Sequence, residues 1–332
     1  MIINRAILHV LDFSSGVSIF SEEEVDLTQE ASAEYIGKLF GRIHRDASGK
    51  RGTFAEDSEY RKDLGRYRSG ELGMADFSVK TAREIQRQLS MAEGAHSADI
   101  LFADYTEEES RFFGFLLLKH HVGYTHRAAN DGGHVRAEIM QHFVILPKPS
   151  QKLDSWAVIQ MDSEEILFSD KERMIDGRET ALIPEILLKC SSSVSGKEAI
   201  KTMESAAAAV AEKHGENPVE AVLKMKSFML ENAEVSEILE PKELVREVFA
   251  ASEEKQAEFL SEMEEKSIPS SVQVERRTAV NAAKKHKIKT DTGIEISIPC
   301  EYFENPDYVE FINNPDGTIS IQLRRIGQII NR

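Results

Sequence analysis

Hydrophobic and polar positions along this chain follow two periods, and the changes of period divide it. Ala6 to Leu11 is a short apolar run suited to a strand, and Gly16 to Phe20 is placed to pair with it as a hairpin. Ile36, Leu39, Phe40 and Ile43 recur at helical spacing and predict an amphipathic helix that the glycines at Gly49 and Gly52 break. Ala75, Val79, Ala82 and Leu89 mark a second helix over about residues 72–91. Ala98 to Tyr105 and Arg111 to His121 are apolar runs joined across Glu107-Glu108-Glu109, which predicts adjacent antiparallel strands with a short polar turn. Asn130-Asp131-Gly132-Gly133 signals a turn, and Ala137 to Leu146 and Trp156 to Met161 supply further strands, with Pro147 and Pro149 between them.

The pattern shifts near Asp176-Gly177. From about Ile183 to Lys266 almost everything reads as helix, with Ile200, Met203, Ala207 and Val210 on one stripe. Asn217-Pro218 is a helix start, Asn capping and Pro at the first helical position, and Glu240-Pro241 repeats it with a poorer cap. Glu253 to Lys266 carries six acids against two lysines and reads as a solvated helix face over Ala257, Leu260 and Met263. Ser267 to Val274 reads as a linker. Beyond it Ile294, Ile296 and Ile298 alternate with polar residues, and two alternating runs flank Asn314-Pro315-Asp316-Gly317 as a hairpin. The predicted fold class is therefore α+β: an N-terminal antiparallel-sheet domain with flanking helices (1–176), a helical middle region (177–266) and a small C-terminal β-rich module (267–332). No repeat with a period of about 20–50 residues is visible, which argues against a solenoid.

Composition narrows the function classes. At 332 residues, 41% hydrophobic and 30% charged, the chain is too apolar for a disordered protein and has material for more than one core. Two cysteines, Cys190 and Cys300, exclude a disulfide framework and a four-cysteine zinc site, and they read as buried thiols. The start lacks the marks of a signal peptide, and no run approaches the ~18 apolar residues of a membrane span, so the expectation is a cytoplasmic chain with no membrane contact. The net charge of -16 argues against coating nucleic acid by bulk electrostatics; any such contact needs a local basic patch.

Motifs of catalysis are missing. Gly49 to Thr53 and Ser195-Gly196-Lys197 lack the spacing of a phosphate-binding loop, and no dinucleotide, nucleophile-elbow or zincin motif occurs. His120, His121, His126, His134 and His142 cluster loosely, but adjacent His120 and His121 point to opposite faces of a strand and no acid falls at a metal spacing. A restriction-type nuclease needs acids and a lysine on neighbouring strands. Asp99, Asp104 and Asp162 lie on or beside strands, yet the E-x-K triplets begin at Glu240, Glu253 and Glu264, all in the helical region. The expectation is no enzyme, no cofactor and no metal, with a metal-dependent nuclease the least favoured alternative.

Two basic stretches remain. Arg42, Arg45, Lys50, Arg51, Arg61, Lys62, Arg66 and Arg68 face five acids between residues 42 and 68. They are either a nucleic-acid patch or a mixed-charge helix surface with internal ion pairs. Arg276, Arg277, Lys284, Lys285, Lys287 and Lys289 face only Glu275 and Asp291. If residues 285–289 are extended, the three alternate lysines share a face about 6–7 Å apart, spaced to neutralise successive phosphates. Lysines that guard a sheet edge would look the same. Aromatics are not interleaved, which counts against stacking on single strands.

Order and spacing over nearly the whole chain resemble the bacterial 37-kilodalton nucleoid-associated (NdpA-like) family. The resemblance rests on Ala6-Ile7-Leu8-His9, on Phe54-Ala55-Glu56-Asp57-Ser58 leading to Leu64 and Phe77, and on Ser97 to Phe102 followed by Phe113 to Leu118. Leu153-Asp154-Ser155-Trp156-Ala157 and the Asp316-Gly317-Thr318 hairpin complete it. It implies a cytoplasmic, nucleoid-located bacterial protein that associates with DNA, expected as a homodimer. DNA contact is either direct, through the two basic stretches, or mediated by a DNA-processing enzyme on which the acidic surface docks as an adaptor.

Overall fold

The computed structural model describes residues 1–94, 96–131, 134–299, 302, 307–314 and 318–328. The chain forms two compact units, Met1–Ser193 and Val194–Arg332. Cys300, the Pro315-Asp316-Gly317 part of the C-terminal turn and Gly132-Gly133 lie outside the described residues.

The first unit is built on strands β1 (Ile2–Asp12), β2 (Val17–Ile19), β3 (Lys50–Gly52), β4 (Ala98–Glu107), β5 (Ser110–Lys119), β8 (Trp156–Gln160) and β9 (Ile166–Ser169). They form one seven-stranded sheet in the order β2-β1-β4-β5-β8-β9-β3, antiparallel throughout. Helix α1 (Glu30–Ile43) covers one face; α2 (Glu59–Ser69) and α3 (Met74–Ser90) cover the other. The alternation of β4 assigns its side chains between the two cores. Ile100 and Phe102 pack with Tyr60, Tyr67, Phe77 and Ile85, while Leu101, Ala103 and Tyr105 pack with Leu39, Phe40 and Ile43. Both faces being covered is why β4 and β5 read as continuous apolar runs. Gly114 in β5 is required by this packing, since a Cβ there would lie 2.9 Å from both the Phe40 ring and the Ala157 carbonyl oxygen.

Local signals account for the element ends. Ser58 caps α2 by accepting from the Arg61 N–H, and Gly70 closes it in the left-handed region. The short polar turn predicted across Glu107 to Glu109 is a two-residue turn of Glu108 and Glu109 between β4 and β5, both at positive φ. Asp176-Gly177, where the sequence shows only a change of pattern, is the turn of a hairpin, β10 (Glu172–Ile175) with β11 (Arg178–Ala181). Asp-Gly is a strong hairpin signal, because both residues tolerate the positive φ that such a turn demands. The stretch after it is not continuous helix. Leu182–Leu187 is a short π-turn segment packed into the first core, and Cys190 then pairs with Phe54 as an isolated bridge.

Strands β6 (His121–Asp131) and β7 (His134–Ile145) pair, among the described residues, only with each other. The sequence reading located the turn between them and most of β7, but not β6, whose polar and small residues carry no apolar alternation.

In the second unit, α4 (Gly196–Lys213) starts in a capping box of Ser195 and Glu198 and buries the predicted Ile200, Met203, Ala207 and Val210. Helix α5 (Pro218–Val235) starts at Asn217-Pro218 with the Asn217 side chain accepting from the Val219 N–H; α6 (Pro241–Val248) starts without a side-chain cap at Glu240. Helix α7 (Glu253–Glu265) buries Phe259 and Met263, whereas Ala257 is exposed, so its apolar face is rotated from the predicted one. Ile268, Val272 and Val274 belong to the same core, where β12 (Ile238–Leu239) pairs with β13 (Val272–Gln273). Helix α8 (Arg276–Ala283) adds Ala279 to it. The chain closes with two hairpins, β14 (Lys285–Lys289) with β15 (Glu295–Pro299) and β16 (Val309–Asn313) with β17 (Ile319–Leu323).

Candidate nucleic-acid interface

The two basic stretches fold differently. In the first, most cations are already engaged by the protein. Arg42, in the last turn of α1, donates to the Pro149 carbonyl at 3.0 Å and to that of Gln151, fastening the proline-rich segment to the helix. Arg51 pairs with Glu165, Arg61 with Glu164 at 2.7 Å and Lys62 with Glu59 at 2.7 Å. Arg66 reaches Asp63 at 3.5 Å, and Arg68 donates to the Met161 carbonyl at 2.7 Å. Lys50 begins β3, and Arg45 follows α1 with an exposed side chain. This is the mixed-charge surface that was one of the two readings. Exposed pairs of this kind are worth ~0–1 kcal/mol, so they organise the surface more than they stabilise it.

The second stretch is less neutralised. Arg277 and Lys284 are exposed and, among the described residues, make no ion pair; Arg276 reaches Glu234 at 3.5 Å. Arg277, Asn281 and Lys284 stand at i, i+4 and i+7, one stripe along α8 and its C-cap. Asn281 belongs to this stripe and was missed because only charge was counted. The chain then turns into β14, which is extended as the alternation requires, so Lys285, Lys287 and Lys289 occupy alternate positions opposite Pro299, Ser297 and Glu295. Lys289 pairs with Glu295 at 3.4 Å. Helix stripe and strand row thus follow one another directly along the chain.

The residues weighed for catalysis are separated and occupied. Asp104 is fully buried in β4 and accepts from Tyr67 Oη at 2.7 Å, Asn4 Nδ2 at 3.1 Å and the Arg111 guanidinium. Burial pushes its carboxyl up, but these hydrogen bonds outweigh burial and hold it below the usual carboxylate range. Asp99, five residues away and so on the opposite face of β4, meets His120 at 2.8 Å; here burial wins and its pKa is raised. His121 follows His120 at the start of β6, and His126 and His142 lie further along β6 and β7. Among the described residues no three His, Cys, Asp or Glu side chains are grouped to hold a metal. Cys190 is half-buried, and burial pushes its thiol up to about 12, which makes it a poor nucleophile.

His9 and Ser78 look like a nucleophile and base, at 3.0 Å, but the tautomer forbids it. His9 Nδ1 accepts from the Ser21 N–H, so Nε2 carries the proton and donates to Ser78 Oγ, which in turn donates to the Ala75 carbonyl. The imidazole has no lone pair left for the hydroxyl proton.

With catalysis thus unsupported, comparison with known proteins decides the family. The profile of the family described as "Nucleoid-associated protein YejK" matches residues 7–329. The chain belongs to this family. A relative from Vibrio atlanticus (strain LGP32), described as "Nucleoid-associated protein", is 27% identical over 105 residues, covering 31% of this chain and 31% of that relative. Membership makes the chain a bacterial nucleoid-associated protein with a cytoplasmic, nucleoid location. Among the described residues no helix is long and apolar enough to cross a membrane.

Proposed function

We propose that this nucleoid-associated protein is non-enzymatic and contacts DNA directly, through sequence-tolerant phosphate contacts made by the α8–β14 segment. The observation that carries the reading is the run of Arg277 and Lys284, exposed and, among the described residues, without ion pairs, continued by lysines at alternate positions of an extended strand. Such a run places cations at intervals suited to successive phosphates, and phosphate contacts carry no sequence information. With a net charge of -16 over the whole chain repelling the duplex, binding is local and weak in one copy. A homodimer doubles the contacts and raises avidity without any new chemistry. The first basic stretch contributes less, because a phosphate there must displace a carboxylate.

Fluorescence anisotropy with a labelled duplex, titrated in salt, tests this. Four phosphates neutralised by Arg277, Lys284, Lys285 and Lys287 give a slope of roughly -3 to -4 in log affinity against log salt. No binding at low salt would refute direct contact.

A second reading has its own support. Glu253, Glu254, Glu264 and Glu265 are exposed on α7 and, among the described residues, form no ion pair. They would suit docking on a basic DNA-processing enzyme, and that adaptor predicts nuclease-resistant capture of such an enzyme without duplex binding.

A further inference from the structure

The ribbon of β6 and β7 is the part of the first unit that the cores leave out. It forms a sheet of its own, with none of its described residues in the core clusters. Its register sorts the side chains onto two unlike faces. Tyr124 lies opposite Gln141, His126 opposite Ile139, Ala128 opposite Ala137 and Asn130 opposite Val135, all on one face. Thr125 with Met140, Arg127 with Glu138, and Ala129 with Arg136 occupy the other. Ion pairs agree with this sorting, since Arg127 and Arg136 both reach Glu138, at 3.1 and 2.6 Å. The first face carries large exposed apolar side chains, Tyr124 at 70%, Val135 at 76% and Ile139 at 83%, beside the polar His126, Asn130 and Gln141.

We infer that this face packs against the same face of a second copy of the chain. Three observations select that occupant. A lone two-stranded ribbon is marginal in water and needs a further layer. Residues 121–145 contain neither lysine nor proline, the usual guards of an exposed strand, and their two arginines share one glutamate. The face of Tyr124, Val135 and Ile139 carries no Arg, Lys, Asp or Glu among its paired positions, and such a surface finds its match in itself. The pattern is also self-complementary. Small Ala128 and Ala137 lie opposite each other, with Ile139 two positions towards the base and Val135 two positions towards the tip. Two ribbons laid antiparallel about a two-fold axis at the alanines bring each tip valine onto the partner's Ile139, the isologous arrangement of a closed dimer. About that axis seven levels of the two ribbons overlap, roughly 24 Å at about 3.4 Å per residue, a small contact by the standard of specific interfaces. The dimer is accordingly reversible.

This inference rests on the homodimer within the proposed function and locates its contact; the test needs no DNA. Analytical ultracentrifugation of the full chain over about 1–100 μM is expected to show a monomer–dimer equilibrium. Ile139→Asp, on the first face, should weaken it at least tenfold, and Thr125→Asp, equally exposed on the other face, should leave it unchanged. Both positions are solvent-facing, so circular dichroism should report the wild-type fold in each. A wild-type chain that stays monomeric overturns the inference, and so does a dimer indifferent to Ile139→Asp. Duplex anisotropy on the same samples separates the two readings. Dimer loss in Ile139→Asp supports the ribbon contact whether or not the wild type binds DNA. A monomeric wild type whose DNA binding is lost in Ile139→Asp would make the ribbon a DNA contact instead.

Discussion

Single residues in this protein behave as their surroundings dictate, and two of them make measurable predictions. His9 is completely buried, and burial lowers its pKa from 6.5 to about 4. Above pH 6.5 both folded and unfolded chains hold it neutral. As pH falls from 6.5 towards 4 only the unfolded chain takes up the proton, so stability falls, by up to about 3 kcal/mol from this site. In His9→Gln that part of the acid slope should vanish; urea midpoints measured from pH 7 to 4 with an unchanged slope would refute the assignment. Glu108 and Glu109 adopt positive φ without being glycine or asparagine. Replacing the pair by Asn-Gly should raise the urea midpoint, by about 0.5–1 kcal/mol in stability, because those residues reach the turn without strain. Neither the imidazole tautomer nor the strain was legible from sequence, where His9 is one more residue of an apolar run.

At the scale of elements, the α8–β14 segment is the feature to test. Lys285→Glu with Lys287→Glu and Lys289→Glu should lower duplex affinity at fixed salt by at least about tenfold and flatten the salt slope, equally for unrelated sequences. Unchanged affinity would make the row a guard of the sheet edge. The same exchange at Arg61, Lys62 and Arg66 should have a smaller effect, because those cations already have carboxylate partners. Elements with strong periodicity or clear punctuation were legible: α1 from its stripe, α5 from Asn217-Pro218, β4 and β5 from their doubly covered runs. Elements without a core face were not. Strand β6 is exposed along most of its length, so selection for burial leaves no mark on it. The short β3 is defined only by its pairing with β9, more than a hundred positions away.

At the scale of the whole molecule, charge and packing set the expected behaviour. A chain of net charge -16 that binds a polyanion through one local run should be unusually sensitive to salt, and dimerisation should shift the whole curve rather than its sequence preference. The sequence by itself determined the α+β class, the main helices and the location of both basic stretches, because periodicity, caps and charge are local properties. Tertiary structure decided which cations are spoken for, since Arg51, Arg61 and Arg68 meet partners in the turn between β8 and β9 that no spacing reveals. It also decided that Asp99 and Asp104 act apart, and that the β6–β7 ribbon exposes Tyr124, Val135 and Ile139 on one face. Those outcomes depend on strand order and register, which are settled by burial across the whole sheet and not by any short stretch of it.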